Sequence, residues 1–501
     1  MRIRFLFLFL MTLCMRNAVA EDLLQVVPQS IVPGSTSADA RCFTLEMKND
    51  ETFTAFQFDI YLPDGMELDE FGPIVFSDRF PSTPGRPNPI YTHVYDCRRH
   101  DRDGVFWRVI VYSTKNDPIS GHSGDLLYMY YVTDESLKPG IHPVQIKNVV
   151  MAISGTQDVK PDDSSSFFYT EGYDASSAVK LDFSGLTGYV APDVVAKTNE
   201  MIAGNESLTE MDLSSIDEAG GTFVSSNPNC LRYVRQGTPI AESMNGENNV
   251  VEMSDNGNTC SRYVLTDGYD ANVSVPFTAT SASYSRTVPS SGWYSLCLPY
   301  SVPAKDDMTV EHFESLDAQK AIINFVDGGV EANVPCIFRT ESTEVDFTAE
   351  NVSVETTPDK LSDGLFTGTY ATINNEELNG GYALHSDGRG FGSIGGTTYI
   401  PPFRAYVAYK SDIELMSVVH GGTTGLSAVD GYEGRLDIYN DGQAVKVKAI
   451  AGNEIVYVRS MDGRLLNTQS LNAGESMLLH LEKGIYLISR PLRISLSTGI
   501  Q

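Results

Sequence analysis

Two polar side chains on one short strand are the best candidates for ligand contact in this sequence. Arg108 and Tyr112 lie in the run from Val105 to Tyr112, where apolar residues alternate as in a half-buried β-strand. Because successive side chains of a strand point to opposite faces, Arg108 and Tyr112 share the face opposite to Trp107. A guanidinium donates hydrogen bonds, and an exposed tyrosine ring packs against flat ligands such as sugar rings. We therefore predict a ligand-binding face at Arg108 and Tyr112, with Trp107 in the core.

The sequence contains no recognisable catalytic motif. Its 8 histidines are scattered, and no metalloprotease, nucleophile-elbow or phosphate-loop motif occurs. The stretch Gly121-His122-Ser123-Gly124 lacks the strand–turn–helix pattern of a nucleophile elbow, so it predicts a turn. Gly390-x-Gly392-x-x-Gly395 has dinucleotide-binding spacing, but the sequence that follows cannot begin the helix that holds the pyrophosphate, so it predicts a flexible loop. We predict no catalytic residue and no enzyme activity.

Acidic residues are the remaining candidates for chemistry. Asp162 and Asp163 are adjacent, as are Asp306 and Asp307, but glycosidase carboxylates must converge from distant positions, which sequence spacing does not establish. An unrecognised glycan hydrolase in residues 236–425 is kept as a third hypothesis. Loop carboxylates also bind calcium, although no complete ligand pattern is present. We predict no cofactor and no metal site, with calcium as the one alternative.

The charge balance of the chain restricts its partners. There are 65 acidic and 36 basic residues, and the formal net charge is −29. Such a charge repels phosphate backbones, so we predict no nucleic-acid binding. Six cysteines lie outside the first twenty residues and none has CxxC spacing, which argues against zinc. If consecutive cysteines pair with each other, the disulfides would be 42–97, 230–260 and 297–336. The alternative is that the cysteines are free, buried thiols.

The first twenty residues have the features of a signal peptide. Arg2 and Arg4 precede the uncharged run from Phe5 to Met15, and small residues occupy 18–20. That run is shorter than the roughly 20 residues a membrane helix needs, and no later segment is apolar enough to span a bilayer. A lipid-attachment role for Cys14 is an alternative. We predict an exported protein, located extracellularly or on the outer cell surface, without a transmembrane segment.

Residues 21–172 read as successive strands. Phe56, Phe58 and Ile60 alternate with polar residues and end at the turn Pro63-Asp64-Gly65. Further strands follow at 105–112, 126–132 and 144–151. Strands at this spacing predict a β-sandwich or barrel.

Three parts of this segment resemble cohesin-like domains. They are the runs 55–65, 108–126 and 140–150, and they occur in the family's order. The resemblance implies a nine-stranded jelly-roll sandwich that is related in fold to carbohydrate-binding modules. In cellulosomes such domains bind a dockerin, and because this chain contains no dockerin-type calcium repeat, a partner of that kind would be a separate protein.

The rest of the chain predicts four further segments. Residues 173–190 are rich in Ser, Gly and Asp and predict a linker, and 191–235 contain a helix from about 194 to 202 and one leucine-rich-repeat-like strand, Leu208-x-x-Met211-x-Leu213. Residues 236–425 predict a central β region. Residues 426–501 resemble the C-terminal sandwich of type IX secretion cargo at Met461-Asp462-Gly463-Arg464 and Gly484-Ile485-Tyr486. A structural end-cap is the alternative there.

The fold class that follows is mainly β, with several sandwiches and a small α/β insert. The predicted function is non-catalytic binding at the bacterial cell surface, of a glycan or another surface protein, through the cohesin-like domain. The alternative is a structural adhesin or stalk whose domains act as spacers. The sequence does not determine the ligand or the oligomeric state.

Overall fold

The structure is a computed structural model that describes most of the chain. It covers residues 22–421, except for 86–87, 102–103, 154–157, 375–377, 379, 386–387, 389, 395–398, 410–412 and 414. Beyond these it covers 436–440, 445–449, 454–460, 464–479 and 486–489. The predicted signal peptide and the sorting motif residues 461–463 and 484–485 therefore lie outside the described residues. Within the described part, no helix has the length and apolar character needed to cross a membrane.

The described residues form two compact units. The first comprises those within Met1–Ser226 together with Arg232–Glu247 and Glu252–Asp255. The second comprises Asn227–Leu231, Asn248–Val251 and those within Asn256–Gln501. The domain boundaries that the sequence suggests stay predictions.

As far as residue 219 the described chain contains strands, one α-helix and two 3-10 helices, Ser37–Asp39 and Ala175–Ser177. In order they are β1 (Leu23–Val26), β2 (Gln29–Ile31), β3 (Cys42–Lys48), β4 (Phe53–Tyr61), β5 (Met66–Leu68), β6 (Ile74–Phe76), β7 (Ser82–Thr83), β8 (Ile90–Tyr91), β9 (His93–His100), β10 (Phe106–Ser113), β11 (Asp125–Thr133), β12 (Ile141–Ile153), β13 (Asp158–Val159), β14 (Ser164–Thr170), β15 (Lys180–Asp182), β16 (Gly188–Val190), α1 (Pro192–Met201), β17 (Glu210–Asp212) and β18 (Ile216–Ala219).

Two sheets of the first unit enclose a common core. One has the order β1-β3-β11-β5, with β6 also paired to β11. The other has the order β18-β16-β14-β12-β4-β10-β9, with β13 and β2 attached at its side. The alternating apolar residues predicted for β4, Phe56, Phe58 and Ile60, are buried between the sheets. Because both sheets contribute inward-facing side chains to one core, this part of the unit is a β-sandwich.

The segment that we predicted to be a linker, residues 173–190, differs from that expectation. It contains β15 and β16, and Leu181, Phe183 and Leu186 are buried. β16 extends the larger sheet by pairing in parallel with β14, and β18 pairs in parallel with β16. These buried apolar residues fix the segment in place, which its Ser, Gly and Asp content did not reveal.

The leucine-rich-repeat-like part contains the helix expected from its sequence. α1 begins at Pro192, a residue whose fixed φ suits the first turn of a helix, and it buries Val194, Val195 and Thr198. The apolar residues of the predicted strand motif, Leu208, Met211 and Leu213, are fully buried. β17, which carries Met211, pairs in parallel with β15.

The elements of the next part of the chain are again mostly strands, together with a short helix. They are β19 (Leu231–Arg235), α2 (Pro239–Ser243), β20 (Val250–Met253), β21 (Thr259–Thr266), β22 (Phe277–Thr287), β23 (Gly292–Leu296), β24 (Thr309–Asp317), β25 (Ile322–Asp327), β26 (Cys336–Thr340), β27 (Glu344–Val354), β28 (Ser362–Asp363), β29 (Phe366–Thr369), β30 (Ile373–Asn374), β31 (Tyr382–Leu384), β32 (Gly390–Ser393), β33 (Tyr399–Ile400), β34 (Arg404–Val407) and β35 (Leu415–Val419).

Most of these strands belong to two sheets. β22 pairs in parallel with β21 and antiparallel with β27. A ten-stranded sheet has the order β23-β26-β24-β25-β35-β32-β31-β34-β29-β28 and covers a core that includes Phe325, Phe366 and Phe391. Gly390 and Gly392, expected in a flexible loop, lie in β32 of this sheet. They are strand residues because their backbone pairs with β31 and β35.

The end of the described chain has its own small core. Its strands are β36 (Leu436–Asn440), β37 (Val445–Ala449), β38 (Glu454–Ser460), β39 (Leu465–Leu471), β40 (Ser476–Leu479) and β41 (Tyr486–Ser489). They form two three-stranded sheets, β36-β37-β40 and β39-β38-β41. Val447, Val456 and Val458 are buried in one cluster with residues of both sheets, which makes this part a small sandwich. The chain as a whole is mainly β, as its sequence predicts.

The six cysteines that the structure describes are free thiols. The pairs suggested by their order, 42–97, 230–260 and 297–336, are therefore not bonded. Cys230, Cys260, Cys297 and Cys336 are buried, in agreement with the alternative of apolar core thiols.

Candidate binding site

Four adjacent strands of the larger sheet, β12, β4, β10 and β9, present one surface away from the core. We call their outward-pointing side chains the outer face. Trp107 points inward and is 8% exposed. Arg108 and Tyr112 point outward, because side chains alternate between the two faces of β10. The structure thus places both predicted ligand-binding residues on the outer face. Whether they bind a ligand stays a prediction.

Arg108 is held by a buried carboxylate beneath it. Its Nε and one terminal nitrogen each donate a 2.7 Å hydrogen bond to the two carboxylate oxygens of Asp59. The Asp59 side chain is 1% exposed and that of Arg108 is 39% exposed. The hydrogen bonds to Asp59 raise the pKa of Arg108. This two-point pairing fixes the guanidinium plane and balances its charge.

Asn148 completes the hydrogen bonding of Asp59 from the neighbouring strand. Its side-chain amide donates to Asp59 Oδ2 over 2.9 Å, and its backbone N–H donates to Asp163 Oδ1 over 3.0 Å. Asn148 has φ +54° at a β-bulge between Lys147 and Val150. A bulge turns a side chain out of the regular alternation, and here it directs the amide onto the Asp59 carboxylate.

The end of the outer face around Tyr112 is apolar. Tyr112 is 43% exposed and is in register with Val94 of β9, which is 44% exposed, and with Ala55 of β4. Ile110 lies two residues before Tyr112 on the same face and is partly exposed. An exposed valine and tyrosine directly opposite each other form a small apolar patch on an otherwise acidic protein.

The opposite end of the outer face carries a row of aromatic rings. The ring centroids of Tyr61 and Phe106 are 5.2 Å apart, and those of Phe106 and His100 are 5.0 Å apart with nearly parallel planes. The Lys147 ammonium lies 5.1 Å from the Tyr61 ring centroid, and the Arg108 guanidinium lies 5.6 Å from that of Phe106. Such cation–π contacts hold the rings and the cations in fixed positions.

Sequence reasoning missed this row. The available signal was the alternation of β10 itself, because Phe106 lies two residues before Arg108 and so must share its face. Tyr61 and His100 carried no such signal, since their place depends on how β4 and β9 align with β10.

A groove of about 760 Å³ runs along the outer face beside Arg108. Strands β4, β10 and β12 supply part of its lining, and the segments 160–163, 188–189 and 217–218 supply the rest. Its lining residues are Gln57, Arg108, Asn148, Val149, Val150, Lys160, Pro161, Asp162, Asp163, Gly188, Tyr189, Asp217 and Glu218.

The acidic pairs singled out in the sequence lie in different surroundings. Asp162 and Asp163 line the groove, whereas Asp306 and Asp307 are exposed in the loop before β24. Within the described residues, no group of three or more histidine, cysteine or acidic side chains is arranged to hold a metal ion. The stretch 121–124 lies in the turn before β11, with no helix after it.

Comparison with known proteins finds similarity in fold. No protein-family model matches the sequence, and no curated protein matches it. Solved cohesin modules are similar to 30% of the chain. They include a non-cellulosomal cohesin from Archaeoglobus fulgidus (10% identity, 94% of that chain covered, TM-score 0.22) and a cohesin of a type I cohesin–dockerin complex from Clostridium thermocellum (13%, 99%, 0.24). A cohesin module from a Clostridium perfringens family 33 glycoside hydrolase is similar at 11% identity, with 96% of that chain covered and a TM-score of 0.21.

At these identities the similarity is one of fold alone. The resemblance of residues 426–501 to type IX sorting domains stays a prediction.

Proposed function

We propose that this chain is an exported, non-catalytic binding protein that docks a partner protein on the outer face of β12, β4, β10 and β9. The observation that carries the proposal is the in-register pair Tyr112 and Val94, both more than two-fifths exposed. Exposed tyrosine beside apolar side chains is typical of the residues that dominate protein–protein binding energy.

The rest of the outer face supports a protein ligand. Two hydrogen bonds to Asp59 fix the guanidinium of Arg108 in place. The Arg108 side chain would therefore lose little conformational entropy when a partner binds it. The exposed Arg98, bonded to Asp96 over 2.9 Å, lies next to Arg108 in register. A face with an apolar end and charged neighbours matches the core-and-rim pattern of protein interfaces. The cohesin from Clostridium thermocellum is itself seen in a complex with a dockerin.

Site-specific photo-crosslinking tests the proposal. A benzophenone amino acid replaces Tyr112 in one variant and Val75 in a control variant. Val75 is 42% exposed and lies on β6, in the other sheet of the sandwich. Both full-length variants are irradiated in the cells that produce the protein. We expect a discrete protein adduct from position 112 and none from position 75.

The adduct must then be reproduced with purified components. We expect the purified partner to bind the full chain and the substitution Tyr112→Ala to weaken that binding by about tenfold, close to 1.4 kcal/mol. Equal adducts from both positions, or unchanged affinity in the Tyr112→Ala variant, would contradict docking on this face. A spacer role of the domain would then be favoured.

A further inference from the structure

The groove beside Arg108 has dimensions suited to a small ligand. Its volume of about 760 Å³ lies within the range of roughly 300–1,000 Å³ found for ligand pockets. Part of its lining comes from the sandwich sheet, through Gln57, Arg108 and Asn148. The rest includes Lys160, Asp162 and Tyr189, from the chain that follows β12. The groove shares Gln57 and Arg108 with the outer face, but the residues of the patch around Tyr112 and Val94 do not line it.

Two contacts hold the lining of the groove in place, and three polar side chains of the lining take no part in them. The backbone of Asn148 donates to Asp163, and Asp217 forms an ion pair with Arg235, so the two sides of the groove are anchored. In contrast, the side chains of Gln57, Lys160 and Asp162 make no hydrogen bond or ion pair within the described part of the chain. Three polar side chains of different chemistry thus line one groove, with Gln57 half-buried and Lys160 and Asp162 exposed.

Those groups specify the chemistry of a ligand. The Gln57 carboxamide both donates and accepts, Lys160 donates, and Asp162 accepts hydrogen bonds. An apolar ligand would cover these groups without offering them hydrogen-bond partners. An anion would face the carboxylates of the lining, and the charge of Arg108 is already balanced by Asp59. A neutral ligand with adjacent hydroxyl groups satisfies donors and acceptors together, because each hydroxyl both donates and accepts.

We infer that this groove is a saccharide-binding site, separate from the protein-docking patch. Tyr189 supplies an aromatic ring at the groove, and Gln57, Lys160 and Asp162 hydrogen-bond to sugar hydroxyls. The guanidinium of Arg108, held flat by Asp59, supplies further donors. The strands β16 and β18 extend the sandwich sheet and thereby create the second side of the site.

The test is calorimetric titration of the full chain with cello-, xylo-, manno- and chito-oligosaccharides and with mucin O-glycans. We expect at least one of these to bind with a Kd of roughly 1 mM or tighter. The substitutions Gln57→Ala and Asp162→Ala should each weaken that binding by about tenfold. Because neither side chain has a hydrogen bond or ion pair with the described residues, both variants should fold normally. The matched controls Gln319→Ala and Asp307→Ala alter exposed residues of the second unit and should leave binding unchanged.

Two outcomes would overturn the inference. One is the absence of saturable binding by every saccharide in the panel, and the other is binding of a lysine oligopeptide probe in place of any saccharide. Failure here is distinguishable from failure of protein docking, since the Tyr112→Ala variant should retain saccharide binding and the Gln57→Ala variant should retain photo-crosslinking at position 112.

Discussion

Asp59 and Arg108 form a two-point ion pair in which one partner is buried and the other is partly in water. Both hydrogen bonds measure 2.7 Å, yet the carboxylate is 1% exposed and the guanidinium is 39% exposed. The pair is therefore asymmetric. Loss of the arginine leaves a buried carboxylate without its cationic partner, whereas loss of the acid leaves a guanidinium that water can hydrate.

This asymmetry predicts unequal costs for removing the two partners. Among the described residues, Arg108→Met leaves Asp59 with the Asn148 amide alone, and it should lower the free energy of unfolding by about 3 kcal/mol. Asp59→Asn should lower it by about 1–2 kcal/mol, because the freed guanidinium can be hydrated. Urea unfolding of both variants and of the double variant measures the two costs and their coupling. Equal costs for the two single substitutions would contradict this account.

Another arginine, Arg79, is buried and forms no salt bridge within the described residues. Arg79 is 6% exposed, and its guanidinium donates to the backbone oxygens of Met47, Ser120, Gly121 and Gly124 and to the side-chain oxygen of Asn49. Burial lowers its pKa. These bonds tie the turn before β11 to the end of β3.

We expect Arg79→Lys to destabilise the first unit, because a single ammonium cannot reach oxygens spread around a planar guanidinium. The loss should be about 2–4 kcal/mol in urea unfolding, with faster protease cleavage near residues 118–124. Arg98→Lys is the matched control, since Arg98 is exposed and, within the described residues, forms an ion pair with Asp96 alone. A control that is as unstable as the Arg79 variant would show that the loss is not due to these buried bonds.

The sequence predicts the strands of the sandwich better than the site on it. Alternation alone places Phe58 and Trp107 inside and Arg108 and Tyr112 outside. It cannot pair Asp59 with Arg108, because that contact depends on the register between β4 and β10, which is set by the packing of both sheets. The Asn148 bulge had only a faint signal, the adjacent apolar residues Val149 and Val150.

The position of the groove could not be predicted from the sequence, for a different reason. One side of it depends on β16 and β18, which join the sandwich sheet in parallel from a segment with the composition of a linker. Parallel pairing between distant segments leaves no local pattern. Only buried residues such as Phe183 and Leu186, spaced among Ser and Gly, hinted at order there.

Asn229 illustrates a structural role that the sequence did not suggest. Its side chain is 1% exposed and donates to the carbonyl oxygens of Thr266 and Tyr269, while its own oxygen accepts from the Thr266 N–H. Asn205 and Asn249, also buried, each donate to two backbone carbonyls in the same way. The side-chain amides of these buried asparagines thus bind backbone carbonyls in place of backbone N–H groups.

We expect Asn229→Ala to lower the free energy of unfolding by about 2–4 kcal/mol, because two carbonyls and one N–H lose their partners in the interior. Thermal and urea unfolding of the full chain measure the effect. Asn467→Ala, on the exposed face of β39, is the control and should change stability by less than about 0.5 kcal/mol. A neutral result for Asn229→Ala would mean that water replaces the lost bonds.

The buried thiols make a prediction about chemical reactivity and its pH dependence. Burial raises the pKa of Cys297 and of Cys97 to about 12, and it also raises the pKa of Cys336. The thiolate is the reactive form, and it forms only as the pH approaches the pKa, so these cysteines are protonated and unreactive at pH 8. Iodoacetamide should therefore leave Cys297 and Cys336 unmodified in the native chain at that pH. In guanidinium chloride without reductant all six described cysteines should react, as read by peptide mass spectrometry. If Cys297 and Cys336 stay unmodified in the unfolded chain until a reductant is added, they form the disulfide 297–336, and the free-thiol arrangement of the second unit is contradicted.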